Sequence, residues 1–229
     1  MTGVTHSGEF TFALKITRTV RTLFKIAFIL AGTFGRLLAQ SEAGTVSIHA
    51  ERFTEFNRKA SFTDGEVHLN KKEDYGVLWL NDSSFANGIL ELELKGTAIP
   101  GQSFVGLAFH GRDNSTFDAV YFRPFNFHNP ERKGHSVQYI SLPGNDWEKL
   151  RDKFPGRYEN AANPVPDPAD SWFHVRIVVN YPEVKVYINH ASEPALQVEQ
   201  LSSQRQGRIG FWVGNGSEGW FRNLRIIYP

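Results

Sequence analysis

The chain of 229 residues has no cysteine and a single methionine. That excludes a disulfide scaffold, thiolate catalysis and any cysteine-ligated zinc. It also lacks an excess of charge, with Lys+Arg 25 against Asp+Glu 24, so nothing electrostatic calls for nucleic acid or an acidic partner. Its main apolar run near the N-terminus, "IAFILAGTF" from Ile26 to Phe34, falls well short of the roughly 20 residues that cross a bilayer as a helix. Neither a Gly-x-Ser-x-Gly nucleophile turn nor a phosphate loop occurs. Aromatic side chains, in contrast, are plentiful: Phe 19, Tyr 7 and Trp 5 supply large buried areas and favour strands.

The N-terminal segment carries location rather than fold. Lys15, Arg18, Arg21 and Lys25 precede the apolar run, and "GRLLAQSEAG" follows it. A basic region, a short apolar region and small residues before a polar start are the layout of a secretory signal. Cleavage is expected near Ala39–Gln40, with residues 1–40 comprising the signal and extra N-terminal residues. The expected location is secreted or periplasmic, with no membrane span after signal removal.

From about Thr45 the pattern becomes short alternating runs. In "GILELELKG", Leu90, Leu92 and Leu94 share one face and Ile89, Glu91 and Glu93 the other, the period of a half-buried strand. "WFHVRIVVN" turns Phe173, Val175, Ile177 and Val179 one way and His174 and Arg176 the other. "VKVYIN" repeats this with Val184, Val186 and Ile188. "SFVGLAFHG", "FDAVYFRPFNF", "RIGFWVG" and "WFRNLRIIY" complete the set. Many short strands punctuated by Gly, Pro and Asn predict an all-β sandwich or barrel, and residues 45–229 suit one domain. One segment, about 141–171, breaks the rhythm. It holds Pro143, Pro155, Pro164, Pro166 and Pro168, with a turn or two of helix at "DWEKLRDKF". Its Trp147, Phe154 and Tyr158 predict an ordered flap over the sandwich.

"YGVLWLNDSSFANGILELELKG", "FVGLAFHGRDNSTFDAVYFRPFNF" and "GRIGFWVGNGSEGWFRNLRI" resemble the concanavalin A-like lectin/glucanase superfamily. More narrowly, they resemble bacterial exported domains called family 16 glycoside hydrolase-like or 3-keto-disaccharide hydrolase-like. The resemblance covers nearly all of the chain beyond the signal. It implies a two-sheet antiparallel jelly-roll sandwich and a role in binding or cleaving carbohydrate. The group holds both enzymes and binding modules, so the fold does not choose between them. The chain departs from true family 16 glucanases, which carry Glu, Asp and Glu at alternate strand positions with the reacting pair about 5–5.5 Å apart. Here "ELELK" offers Glu91 and Glu93 with no aspartate between them.

Strand parity gathers the candidate ligand-binding set. Tyr121, Arg123 and Phe125 share a face opposite Val120 and Phe122. An aromatic plate covers the C–H face of a sugar ring, and the five donors of an arginine bind its hydroxyls. Trp212 stands opposite in parity to Ile209, Phe211 and Val213 and joins this set, as does Arg112. The catalytic candidates are His110, Asp113 and Glu93, a histidine beside an aspartate suiting general acid/base work. For cofactors the expectation is none, with calcium as the alternative through Asp113, Asn114 and Asp118, as in some relatives. His128 and His135 read as part of a solvated loop. Three readings stay open: a glycan-binding domain, a glycosidase or 3-keto-glycoside-cleaving enzyme, and an interaction module without a small ligand.

Overall fold

The computed structural model describes Met1, Gly3 and residues 43–229. The signal-like segment, with Lys15, Arg18, Arg21, Lys25 and the cleavage point at Ala39–Gln40, lies outside the described residues. Two antiparallel sheets face each other across one apolar core.

The first sheet contains β1 (Ala43–Thr45), β3 (Ala60–Thr63), β4 (Glu66–Lys72), β6 (Gly88–Lys95), β11 (Phe173–Asn180), β12 (Glu183–Ile188), β13 (Leu196–Glu199) and β15 (Ser217–Ile227). Its order is β13-β12-β11-β6-β15-β4-β3, with β1 paired to β15. The second contains β2 (Phe53–Phe56), β5 (Gly76–Leu80), β7 (Val105–Gly111), β8 (Phe117–Phe122), β9 (Val137–Leu142), β10 (Glu159–Asn160) and β14 (Arg208–Val213). Its order is β10-β9-β8-β7-β14-β5-β2.

The alternation in the sequence explains the first sheet. Leu90, Leu92 and Leu94 of β6 are buried, as are Val175, Ile177 and Val179 of β11 and Val184, Val186 and Ile188 of β12. Each such side chain contributes roughly 2 kcal/mol by leaving water. Opposite them, the second sheet sends in Val105, Leu107, Phe109, Val120, Phe122 and Phe211. Phe211 stacks on Phe221 of β15 with ring centroids 4.7 Å apart, tying the two sheets together. Turn chemistry sets the registers. Asp64 and Gly65, both at positive φ (47° and 79°), close the β3–β4 hairpin, the backbone that a two-residue turn between twisted strands requires.

The proline-rich segment is ordered. It holds helix α1 (Trp147–Lys153), whose N-cap Asp146 accepts from the Lys149 backbone N–H, and then β10, which pairs with β9. Among the described residues no helix is long and apolar enough to cross a membrane.

Candidate binding groove

The second sheet differs from the first in being buried on both faces: every residue of β5, β7 and β8 is buried. On its outer face the rung across β8, β7 and β14 reads Tyr121, Gly106, Trp212. Two strand spacings separate Tyr121 from Trp212, about 9.6 Å of backbone. Their rings nevertheless meet with centroids 4.8 Å apart, because Gly106 between them has no side chain. A Cβ on Gly106 would lie 2.7 Å from that of Tyr121 and would strike the Val120 carbonyl. Phe104 packs edge-on to both Tyr121 and Phe125, and Tyr75 stacks beyond Trp212 at 6.5 Å.

Arg123 is the polar centre of this surface. It follows β8 directly, where Pro124–Asn126 turns the chain in a short 3-10 helix. Only 5% of Arg123 is exposed. Its Nη1 donates to the His135 carbonyl at 2.8 Å, and its Nη2 donates to Tyr121 Oη at 2.7 Å and Gln138 Oε1 at 3.3 Å. Burial lowers the Arg123 guanidinium from its ordinary value, and burial raises the Tyr121 phenol to about 12, so Tyr121 stays a neutral donor.

These residues line a groove of 1160 Å³. The proline-rich segment supplies Asp146, Trp147 and Arg151 to its rim. Its charged lining is balanced, with Arg123, Arg132 and Arg151 against Asp74, Glu131 and Asp146, which suits a neutral, hydroxyl-rich ligand. Trp212 is 5% exposed and its indole Nε1 has no hydrogen-bond partner. A buried donor left unpaired costs on the order of 1–3 kcal/mol.

The structure brings Tyr121, Arg123, Phe125 and Trp212 to this one lining. It does not gather the other candidates. His110 lies within β7 rather than in the following loop, 1% exposed. An extra residue there, opposite the Arg208–Gly210 step of β14, and a φ of 52° at His110 bulge the strand. The ring enters a closed polar cluster between the sheets. Nε2 donates to the Ala86 carbonyl at 2.7 Å, and Nδ1 accepts from Gln200 at 3.1 Å and faces Asp118 at 3.2 Å. Asp118 also accepts from Tyr139 at 2.8 Å and Ser202 at 2.7 Å. Asp113 and Arg112 occupy the exposed hairpin end outside the groove, paired to each other at 3.3 Å. Asp113 accepts from the Ser115 backbone and hydroxyl, which hold it far below the usual carboxylate range. Glu93 is on the outer face of the other sheet, bonded to Arg222 at 2.5 Å. His110, Asp113 and Glu93 thus form no joint catalytic set.

Calcium fits poorly at its candidate oxygens. Asp113 is turned to its own loop, Asn114 Oδ1 accepts from Trp79 Nε1 at 2.9 Å, and Asp118 is enclosed with His110. Calcium needs six to eight converging oxygens. Among the described residues, no group of three or more His, Asp or Glu is placed to hold a metal ion.

A model described as the 3-keto-alpha-glucoside-1,2-lyase-like domain matches residues 45–227. The chain belongs to this family. The fold of this lyase-like domain recurs in solved structures at low identity. The carbohydrate binding module CBM66 from Bacillus subtilis superposes with a TM-score of 0.56 at 12% identity, over 76% of this chain and 93% of that one. The exoplasmic/lumenal domain of VIP36, in a Ca²⁺/Man3GlcNAc-bound form, gives 0.54 at 14% identity, over 77% and 83%. A glycosidic hydrolase gives 0.53 at 13% identity, over 82% and 94%. At such identities these establish the jelly-roll sandwich alone. A comparison with curated proteins returns no match.

One groove residue and the carboxylate behind it carry no local signal in the sequence. His135, in "HNPERKGHS", reaches the lining through short 3-10 turns, and Glu159 stands behind it on β10, twenty-four residues later in the chain. Glu159 is 4% exposed and accepts from Arg151 Nε at 2.8 Å and Nη2 at 2.6 Å. Burial alone would raise its carboxyl. The bonds and charge of Arg151, then the nearby imidazole of His135, outweigh burial, and it titrates below its ordinary value.

Proposed function

We propose that this lyase-like domain is an exported carbohydrate-active protein that takes a glycan in the groove on the outer face of its seven-stranded sheet. The observation that carries the reading is Trp212, a lining residue packed on the Tyr121 ring whose Nε1 is buried and unpartnered. An aromatic plate and a free donor side by side match a sugar's two aspects, its C–H face and its oxygens. The balanced charge of the lining and the family's description, which names an alpha-glucoside, support a neutral gluco-configured ring. Residues 45–229 are proposed as the mature domain and residues 1–40 as the export signal. N-terminal sequencing of protein recovered outside the cytoplasm is expected to start near Gln40, and a product retaining Met1 counts against export.

The test is calorimetric titration with α-glucosides and their 3-keto counterparts. Trp212→Phe keeps a ring but removes the N–H, and is expected to weaken binding about tenfold, or ~1.4 kcal/mol. Equal affinity in wild type and variant removes Trp212 from the site. A second reading, cleavage of the bound glycoside, is favoured by the lyase description of the family and by the imidazole on the groove wall.

A further inference from the structure

A 1,2-elimination on a 3-keto glucoside needs one group above all, a base with a free lone pair facing the ring. The groove offers four candidates. Glu131 and Asp74 are exposed carboxylates whose side-chain oxygens take no hydrogen bond among the described residues. Asp146 is occupied in capping α1 and lies 3.4 Å from Lys149 Nζ. His135 is built differently. Its carbonyl is held by Arg123 Nη1 at 2.8 Å and Asn126 Nδ2 at 3.2 Å, which fixes the backbone. Its Nδ1 is buried 2.8 Å from Glu159 Oε1, in a contact too bent for a hydrogen bond in the resting state. Glu159 cannot swing away, because both its oxygens are gripped by Arg151. The imidazole is 39% exposed, and its Nε2 takes no hydrogen bond among the described residues.

We infer that His135 is the general base of this groove and that Glu159 positions it, an assignment that rests on the carbohydrate reading of the groove. With the Nδ1 proton toward Glu159, the lone pair of Nε2 faces the ligand. A ketone at C3 acidifies the C2 hydrogen. Nε2 takes that proton, and the C2–H electron pair becomes the C1=C2 bond. The C1–O bond breaks and its pair leaves with the aglycone oxygen. In an α-glucoside that oxygen lies on the ring face opposite the C2 hydrogen, so solvent water protonates it while the imidazolium releases its proton to solvent. The ketone persists, so the products are a conjugated enone and an alcohol, with no oxidant or reductant consumed. A carboxylate behind the ring stabilises the imidazolium between the two proton transfers.

The experiment follows wild type and His135→Gln on a 3-keto-α-glucoside. Elimination is read by enone absorbance, exchange of the C2 hydrogen in D2O by NMR, and binding by calorimetry. The variant is expected to bind within about threefold of wild type and to lose roughly 10²–10⁴-fold in both elimination and exchange. Elimination at the wild-type rate in His135→Gln overturns the assignment. Wild type that binds the keto sugar without exchange or elimination also overturns it, while the binding reading of the groove stands. Wild type that binds neither sugar overturns the groove reading itself. Glu159→Gln is expected to lower kcat with KM unchanged, and Glu159→Asp to restore part of it. An unchanged kcat in folded Glu159→Gln removes the positioning role.

Discussion

The two sheets share one core and differ in what they do with their other face. In the eight-stranded sheet, β6, β11 and β12 alternate between buried and half-exposed positions. Its outer face is polar and self-neutralising: Arg222 bonds Glu93 and Glu66, and Arg225 bonds Glu91. In the seven-stranded sheet the outer face is closed by aromatic rings and by Arg123, and its polar groups are not all matched among themselves. One sheet presents a largely ion-paired surface to water, with His174 Nδ1 unmatched on β11. The other presents a surface with hydrogen-bonding capacity left over, which is what a binding face requires.

The sharpest way to break this contrast is at Gly106, under the Tyr121–Trp212 pair. Gly106→Val forces side-chain atoms into the Val120 carbonyl and Tyr121. The expected loss is ~3 kcal/mol or more, typical of overpacking where backbone must move. Thermal unfolding should fall by roughly 6–12 °C. A melting point unchanged by this variant would mean the groove face is as forgiving as the polar one.

A second test uses acid. Glu159 has a folded-state value lowered below its ordinary 4.5. A carboxyl lowered by folding contributes stability that is fully present above its ordinary value and is lost as pH falls through the folded value. The stability gap between wild type and Glu159→Gln is therefore expected to be constant from neutrality down to about pH 4.5 and to narrow below it. At neutral pH the gap itself should be about 3 kcal/mol, since Arg151 and Arg123 lose a buried partner. Melting curves across pH 2.5–7 check this (roughly the span over which a carboxyl titrates). A gap that widens on acidification would reverse the sign assigned to Glu159.

The same contrast explains what the sequence made legible. Period-two alternation is visible where one face meets water, so β6, β11 and β12 and their core residues can be read directly. Parity also separates Tyr121 from Val120 and Trp212 from Phe211, and the structure has those pairs on opposite faces of their sheet. Parity fails at His110, where a bulge at positive φ turns the ring inward. It says nothing about His135, Glu159 and Arg151, which three-dimensional packing brings together from a 3-10 turn, a two-residue strand and a helix. Their chemistry comes from burial of one carboxylate beside two arginines and an imidazole, and no local spacing encodes that.

The smallest expected effect lies on the polar sheet. Arg222 donates to Glu93 at 2.5 Å and Glu66 at 2.9 Å and sits 4.2 Å from the centroid of Trp172. By geometry this is a close ion network. Yet all three ionic groups are about one-third exposed, at 32%, 29% and 39% for Arg222, Glu93 and Glu66. Water screens such pairs and leaves each worth well under 1 kcal/mol. Arg222→Gln should therefore lower the melting temperature by only about 2 °C, less still in ~1 M salt, where the screening length shrinks to about 3 Å. Glycan titration of this variant should match wild type, because the substitution lies on the far sheet. A large stability loss would show that the outer face of the eight-stranded sheet tolerates change no better than the groove does, and the distinction between a largely ion-paired surface and one with capacity left over would fail.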